Sequence, residues 1–249
     1  MGIMILMATF LAMVVHVSGL SAVVTSKMAA TNKLVPIYAV DTKEKKVAIS
    51  FDAAWGAEYT EELLDILDEF NIKTTFFLVG IWVDEYPEMV KEIAKRGHEI
   101  GNHSSKHPDF RELSKEQIAN ELRVTNKKIE KLTGQKPILF RPPFGEVNNQ
   151  VISVSEEEGF YVIKWSVDSL DWQEKGAKDI IDRVTSKVHP GAIVLFHNNG
   201  KYTAEALRPI LQKFKSEGYK VVPISDLIYK KKYEIDKNTG FQRLKKGAS

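Results

Sequence analysis

Five apolar, strand-like runs in this chain each end in a side chain able to do chemistry. Lys46 to Asp52 ends in a carboxylate, and Pro137 to Arg141 ends in a guanidinium followed by Pro142 and Pro143. Tyr161 to Asp168 runs into Asp171 and Trp172, and Ala192 to His197 ends in an imidazole. The short run His98 to Gly101 leads into His103 and His107, four residues apart. Such a pair suits a divalent metal with nitrogen ligands, whether the backbone is a helix or a loop. Gly101 before it and Pro108 after it favour a tight loop. A metal lowers the pKa of bound water to roughly 7. A carboxylate then takes the water's proton, and a histidine protonates a leaving nitrogen or oxygen. An arginine can orient the carboxylate, and a second acid can keep the histidine charged.

Each residue alone has a plainer structural explanation. A strand-end aspartate such as Asp52 often forms a turn, and Asp168 and Asp171 can cap a following helix. Taken alone, Trp172 is more often a core side chain than a substrate platform, and His197 more often a hydrogen-bonded core residue than a catalyst. The case rests on convergence: in a parallel α/β protein the carboxyl ends of the strands share one face, where active sites form.

The elements needed to produce that convergence are legible. Strand-like runs at Lys46–Asp52, Thr74–Val79, His98–Gly101, Ile138–Phe140, Tyr161–Val167, Ala192–Phe196 and Lys220–Val222 alternate with helical spacing. The helices are expected over Tyr59–Phe70, Pro87–Arg96, Ser114–Leu132, Asn149–Glu158, Lys178–Val188 and Thr203–Glu217, with a last one starting at Ser225–Tyr229. Ser114 and Gln117 form a capping-box pattern, and Gly134 is a stop signal. Seven βα-like units in succession predict a parallel sheet that closes, or nearly closes, into a barrel. No internal repeat is visible.

Composition narrows the function. The chain has 249 residues, 43% of them hydrophobic, which fits one large α/β domain. A net charge of +2 gives no global basic field, so nucleic acid is not expected as a partner. With no cysteine there is no disulfide, thiolate nucleophile or zinc–thiolate cluster. Residues 3 to 24 carry no charge, so 1–24 is expected to be a signal peptide or membrane anchor. No Lys or Arg precedes that stretch, and a buried first helix is the other reading. Residues 25–45 are read as a linker containing a short apolar piece at Leu34–Val40, 46–229 as the domain, and 230–249 as a basic, solvated tail. This arrangement predicts an extracytoplasmic protein, secreted or anchored. The oligomeric state is not encoded legibly.

Ser50-Phe-Asp52, His103-Ser-Ser-Lys-His107, Arg141-Pro-Pro-Phe-Gly145, Asp168-Ser-Leu-Asp171-Trp172 and Leu195-Phe-His197 occur in that order. They resemble the five motifs of the polysaccharide deacetylases of carbohydrate esterase family 4, over about residues 46 to 228. The resemblance implies a distorted (β/α)7 barrel. It also implies removal of N-acetyl groups from chitin-like or peptidoglycan sugars, with zinc or a similar divalent metal such as cobalt or nickel. On that resemblance His103 and His107 are metal ligands and Asp52 is the general base, held by Arg141. Asp171 orients His197, the general acid that protonates the departing nitrogen. Trp172, Leu195 and Pro143 contribute to substrate binding.

One position departs from the pattern. The family's first motif usually carries a second aspartate that ligates the metal, and here that residue is Ala53. Three outcomes follow: Asp52 ligates the metal itself, water fills the position with weaker binding, or the site is catalytically dead. Retained activity is the expectation, because the other four motifs and both histidines are present. A non-catalytic cell-wall glycan-binding module is the alternative. The Asp-Ala-Ala-Trp-Gly variant resembles a branch with sporulation and cell-wall deacetylases, which makes peptidoglycan the expected substrate.

Overall fold

Strand β2 (Lys46–Ala53) shows how the chain builds its site. It is buried along nearly its whole length, as expected of a central parallel strand covered on both faces. Successive side chains alternate between faces. Val47, Ile49 and Phe51 pack into a cluster with helix residues such as Leu63, Leu67, Leu207 and Phe214. Ala48 belongs to a second cluster with Phe77, Leu139 and Ile193 inside the barrel. Ser50 and Asp52 continue that inward row, so the apolar interior gives way to polar groups at the carboxyl end of the strand.

The computed structural model describes residues 33–245 and 247. Seven parallel strands run in the order β6-β5-β4-β3-β2-β8-β7, a curled half-barrel with helices outside. They are β2, β3 (Thr75–Leu78), β4 (Glu99–Asn102), β5 (Leu139–Phe140), β6 (Tyr161–Val162), β7 (Val167–Asp168) and β8 (Ile193–His197). β9 (Lys220–Val221) adds beside the start of β2. The expected distorted (β/α)7 barrel is the observed fold.

The helix Lys115–Thr133 forms as expected. Ser114 and Gln117 make the reciprocal capping box, and Gly134 ends the helix at φ 73. Other boundaries differ. The single strand expected over Tyr161–Val167 is two strands on opposite edges of the sheet, and residues 163–166 cross between them. An unforeseen helix, Gly80–Glu85, follows β3 directly.

The expected linker and tail are largely structured. Ile37, Ala39 and Val40 are buried. Ile37 bridges Ile163 and Ala39 bridges Ala192, so this segment ties β6 to β8 where the barrel is open. β1 (Ala39–Val40) pairs with β11 (Phe241–Leu244), which pairs with β10 (Tyr233–Ile235). Gln242 is fully buried and exchanges two hydrogen bonds with the Tyr229 backbone. The lysines in this tail obscure the short strands that pair it to the barrel. The uncharged segment 3–24 lies outside the described residues. Among the described residues no helix is long and apolar enough to cross a membrane.

Candidate active site

Parallel register places the first pair of groups. Asp52 on β2 and His197 on β8 are direct cross-strand partners. Both project at the carboxyl end of the sheet, into a cavity of about 580 Å³.

Arg141 leaves the end of β5 and is fully buried. Its Nη1 donates to Asp52 Oδ1 at 2.7 Å, and its Nη2 donates to Ser50 Oγ at 2.9 Å. The Ser50 hydroxyl hydrogen is committed to the Val194 carbonyl at 2.8 Å, so the oxygen lone pairs remain for Arg141. The Phe77 ring lies 4.2 Å from the guanidinium carbon. Burial alone raises the Asp52 carboxyl, but Arg141, His103 and His197 together outweigh it and hold the group below the usual carboxylate value. The result is an ionised carboxylate with one oxygen tied to Arg141 and the other directed at the histidines.

The second pair is Asp171 and His197. The Asp171 carboxylate, fully buried, faces His197 Nδ1 at 2.7 Å through Oδ1. Its Oδ2 accepts from the His197 backbone N–H and from the Thr203 hydroxyl, each at 2.7 Å. The Trp172 N–H donates to Oδ1 at 3.0 Å. Burial lowers the His197 pKa, but the hydrogen bond and charge of Asp171 outweigh burial and raise it above the ordinary histidine value. His197 is therefore favoured as the protonated acid.

The two remaining histidines are held neutral. His103 Nδ1 lies 2.7 Å from the Arg141 carbonyl, so this nitrogen carries the proton and Nε2 presents a lone pair. That Nε2 is 3.6 Å from Asp52 Oδ2. Burial lowers the His103 pKa against the opposing charge of Asp52. His107 is pushed down to about 4, first by burial and then by His103. The two rings meet edge to face with centroids 4.9 Å apart. His107 adopts φ 59, a left-handed conformation, and its backbone N–H is satisfied by Ser104 Oγ at 2.9 Å.

The structure therefore brings Asp52, His103, His107, Leu195, His197 and Trp172 to one cavity wall, with Arg141 and Asp171 directly behind. Pro143 is buried and does not line the cavity; its neighbours Phe144 and Gly145 do. Asp168 lines it as well, with Oδ2 accepting from Trp165 Nε1 at 3.1 Å. Sequence reasoning did not single out Trp55, Phe144, Trp165 or Asn199, which complete the lining with Ala54. Trp55 and Phe144 adjoin motif residues, and that adjacency was their available signal. Trp165 sits in the crossing between β6 and β7, where a buried-strand pattern hid it.

The metal implied by the resemblance can be tested against the donors present. His103 and His107 fit: both are neutral, close together and carry lone-pair nitrogens. The third ligand does not fit. Ala53 offers no donor, and its methyl is buried in the helix-facing cluster that contains Leu78, Val79 and Trp82. Among the described residues no group of three or more His, Asp or Glu side chains is arranged to hold a metal ion. The donor set is incomplete.

A family model described as "Polysaccharide deacetylase" matches residues 39–163. The Bacillus subtilis peptidoglycan-N-acetylmuramic acid deacetylase PdaA is 35% identical over 202 residues, covering 80% of this chain and 77% of PdaA. The uncharacterized protein YlxY of the same organism is 40% identical over 78% of this chain, which spans only 60% of YlxY. Among solved structures, BA3943 of Bacillus anthracis, described as a CE4 family pseudoenzyme, superposes with a TM-score of 0.75 at 40% identity. That match covers 77% of this chain and 68% of BA3943. A BA3943 mutant described as having restored enzymatic activity matches at 41% identity and the same TM-score, covering 77% of this chain and 70% of the mutant. With strand-end chemistry, barrel and relatives in agreement, the chain belongs to the polysaccharide deacetylases of carbohydrate esterase family 4.

Proposed function

We propose that this chain is an extracytoplasmic hydrolase that removes N-acetyl groups from N-acetylglucosamine or N-acetylmuramic acid units of peptidoglycan or a chitin-like glycan. The observation that carries the proposal is the facing of two preset proton-transfer groups, Asp52 on Arg141 and His197 on Asp171, across adjacent strands. An acetamide entering between them meets a base on one side and an acid on the other. Asp52, kept ionised, takes a proton from the attacking water. His197, kept protonated, gives its proton to the sugar nitrogen as the C–N bond breaks, leaving acetate and a free amine. Arg141 orients the base and Asp171 orients the acid. His103 and His107 are two of the donors that a divalent metal such as zinc would need, and such a metal, if held there, would supply Lewis-acid chemistry. The relatives named for peptidoglycan deacetylation support the choice of glycan.

Ala53 favours a second reading, a glycan-binding module without turnover, and the likeness to a described pseudoenzyme supports it. Acetate release from N-acetylglucosamine oligomers and peptidoglycan, with zinc or cobalt added, separates the two. Release that disappears in His103→Ala supports the enzyme. Glycan binding with no release across substrates and metals supports the module.

A further inference from the structure

Three of the large apolar side chains left exposed among the described residues stand at the mouth of the same cavity. They are Trp55 at 57% exposure, Phe144 at 63% and Trp172 at 59%. Solvent-exposed indoles clustered at a cavity mark a surface that meets a partly apolar ligand. Trp172 belongs to the acid side, next to Asp171. Trp55 stands on the other side, edge-on to His107 with centroids 4.9 Å apart.

Trp55 is held rather than left loose. The chain turns directly after it at Gly56, with φ 58, where a Cβ would come within 2.3 Å of a Glu58 carboxylate oxygen. The Gly56 carbonyl is fixed by two side-chain donors, Trp82 Nε1 at 2.6 Å and Asn198 Nδ2 at 2.8 Å. Both donors are fully buried. Asn198 also donates to Thr60 Oγ1 at 3.0 Å, which anchors it to the following helix. His107 closes against Phe144 on its far side, at 4.6 Å. A hydrophobic turn would normally fold such an indole inward. Here buried hydrogen bonds fix the backbone of the turn and leave the indole outside, so less backbone ordering remains to be paid on binding.

We propose that Trp55 is a stacking platform for a second sugar of a glycan chain, a neutral hexopyranose adjacent to the unit whose acetamido group enters the cavity. The apolar C–H face of a pyranose matches an indole face, and the ring hydroxyls stay in solvent. This rests on the glycan reading of the cavity but not on turnover. It makes length-dependent glycan recognition a property of the Asp-Ala-Ala-Trp-Gly turn.

The test is calorimetric titration of the full chain with N-acetylglucosamine oligomers of two to five units, comparing wild type with Trp55→Ala, Trp55→Tyr and Trp172→Ala. The expected result is that wild-type affinity rises with length. Trp55→Ala should abolish that rise, losing about tenfold on the longer oligomers and little on the dimer. Trp55→Tyr should restore most of it, and Trp172→Ala should weaken every length. If Trp55→Ala follows the wild-type length dependence while all lengths bind, the platform assignment is wrong and the glycan reading stands. If wild type binds no oligomer at any length, both fall together. Unchanged near-ultraviolet circular dichroism outside the lost indole contribution establishes that Trp55→Ala keeps the fold.

Discussion

The two sides of the cavity are finished to different degrees. On the acid and base side, Arg141 holds one Asp52 oxygen and Asp171 holds His197 Nδ1, each at 2.7 Å, so Asp52 is held charged and His197 is favoured charged. On the histidine side, His103 and His107 are neutral and pack on each other, His107 also meets Trp55 and Phe144, and position 53 is a buried methyl. On the proposed roles, one side holds a base and an acid each with its positioning partner, while the other holds two of the donors a metal would need.

The largest expected effect lies on the charged side. Arg141→Ala strands the Asp52 carboxylate in a buried position without its countercharge, and breaking such a pair costs about 3–5 kcal/mol. Chemical denaturation should show a loss of that order, and a change under 1 kcal/mol would mean the pair contributes little to folding. Next in size, Asp171→Asn removes the charge that keeps His197 protonated. Acetate release should fall by roughly 10²–10⁴-fold, the usual contribution of a positioned acid. An unaltered rate would remove His197 from the chemistry.

Position 53 tests the deficient side. Ala53→Asp buries a carboxylate and should lower apo stability, then recover it with zinc, because a ligand that binds only the folded state stabilises it. The zinc-induced rise in Tm should exceed that of wild type, corresponding to at least about a tenfold gain in affinity, or 1.4 kcal/mol. Equal zinc shifts in the two proteins would show that position 53 does not reach the ligands.

The smallest effect is the pH slope. The two sides carry histidines shifted in opposite directions, so they contribute opposite slopes. His197, with a raised folded-state pKa, contributes stability that is fully present below the unfolded value near 6.5 and is lost as pH rises through the folded value. His107, at about 4 in the folded state, costs stability as pH falls from about 6.5 towards 4, because the unfolded chain takes up the proton first. His98, outside the cavity lining and directly before β4, behaves like His107: burial pushes it to about 4, and its Nδ1 accepts from the Thr74 N–H at 3.2 Å. Urea titrations should show stability falling between pH 6.5 and 4, and His98→Gln should flatten part of that fall. An identical slope in the variant would assign the whole effect elsewhere.

The strand-end residues were legible because parallel β topology converts sequence order into spatial convergence. Asp52 and His197 needed only the register of β2 with β8. The Arg141 and Asp171 partnerships entered through the family resemblance, since nothing in local spacing tells an arginine after β5 that it reaches Ser50 and Asp52. The split of Tyr161–Val167 was invisible because Val162, Ile163 and Val167 look the same in one strand as in two joined by a buried crossing. The sheet of β1, β10 and β11 escaped notice because its strands are two to four residues long and set among lysines. Trp55 and Phe144 read as ordinary apolar residues beside the motifs, and their exposure is what singles them out.

The most direct measurement is acetate release from N-acetylglucosamine oligomers by wild type and Ala53→Asp, side by side with zinc. A chain with its proton-transfer side intact and its ligand side depleted should release acetate slowly as wild type and at least about ten times faster with the added carboxylate, the equivalent of 1.4 kcal/mol. Silence from wild type with release by Ala53→Asp would select the glycan-binding module. Silence from both, with zinc bound and the fold intact, would contradict the assignment of Asp52 and His197 as a working base and acid.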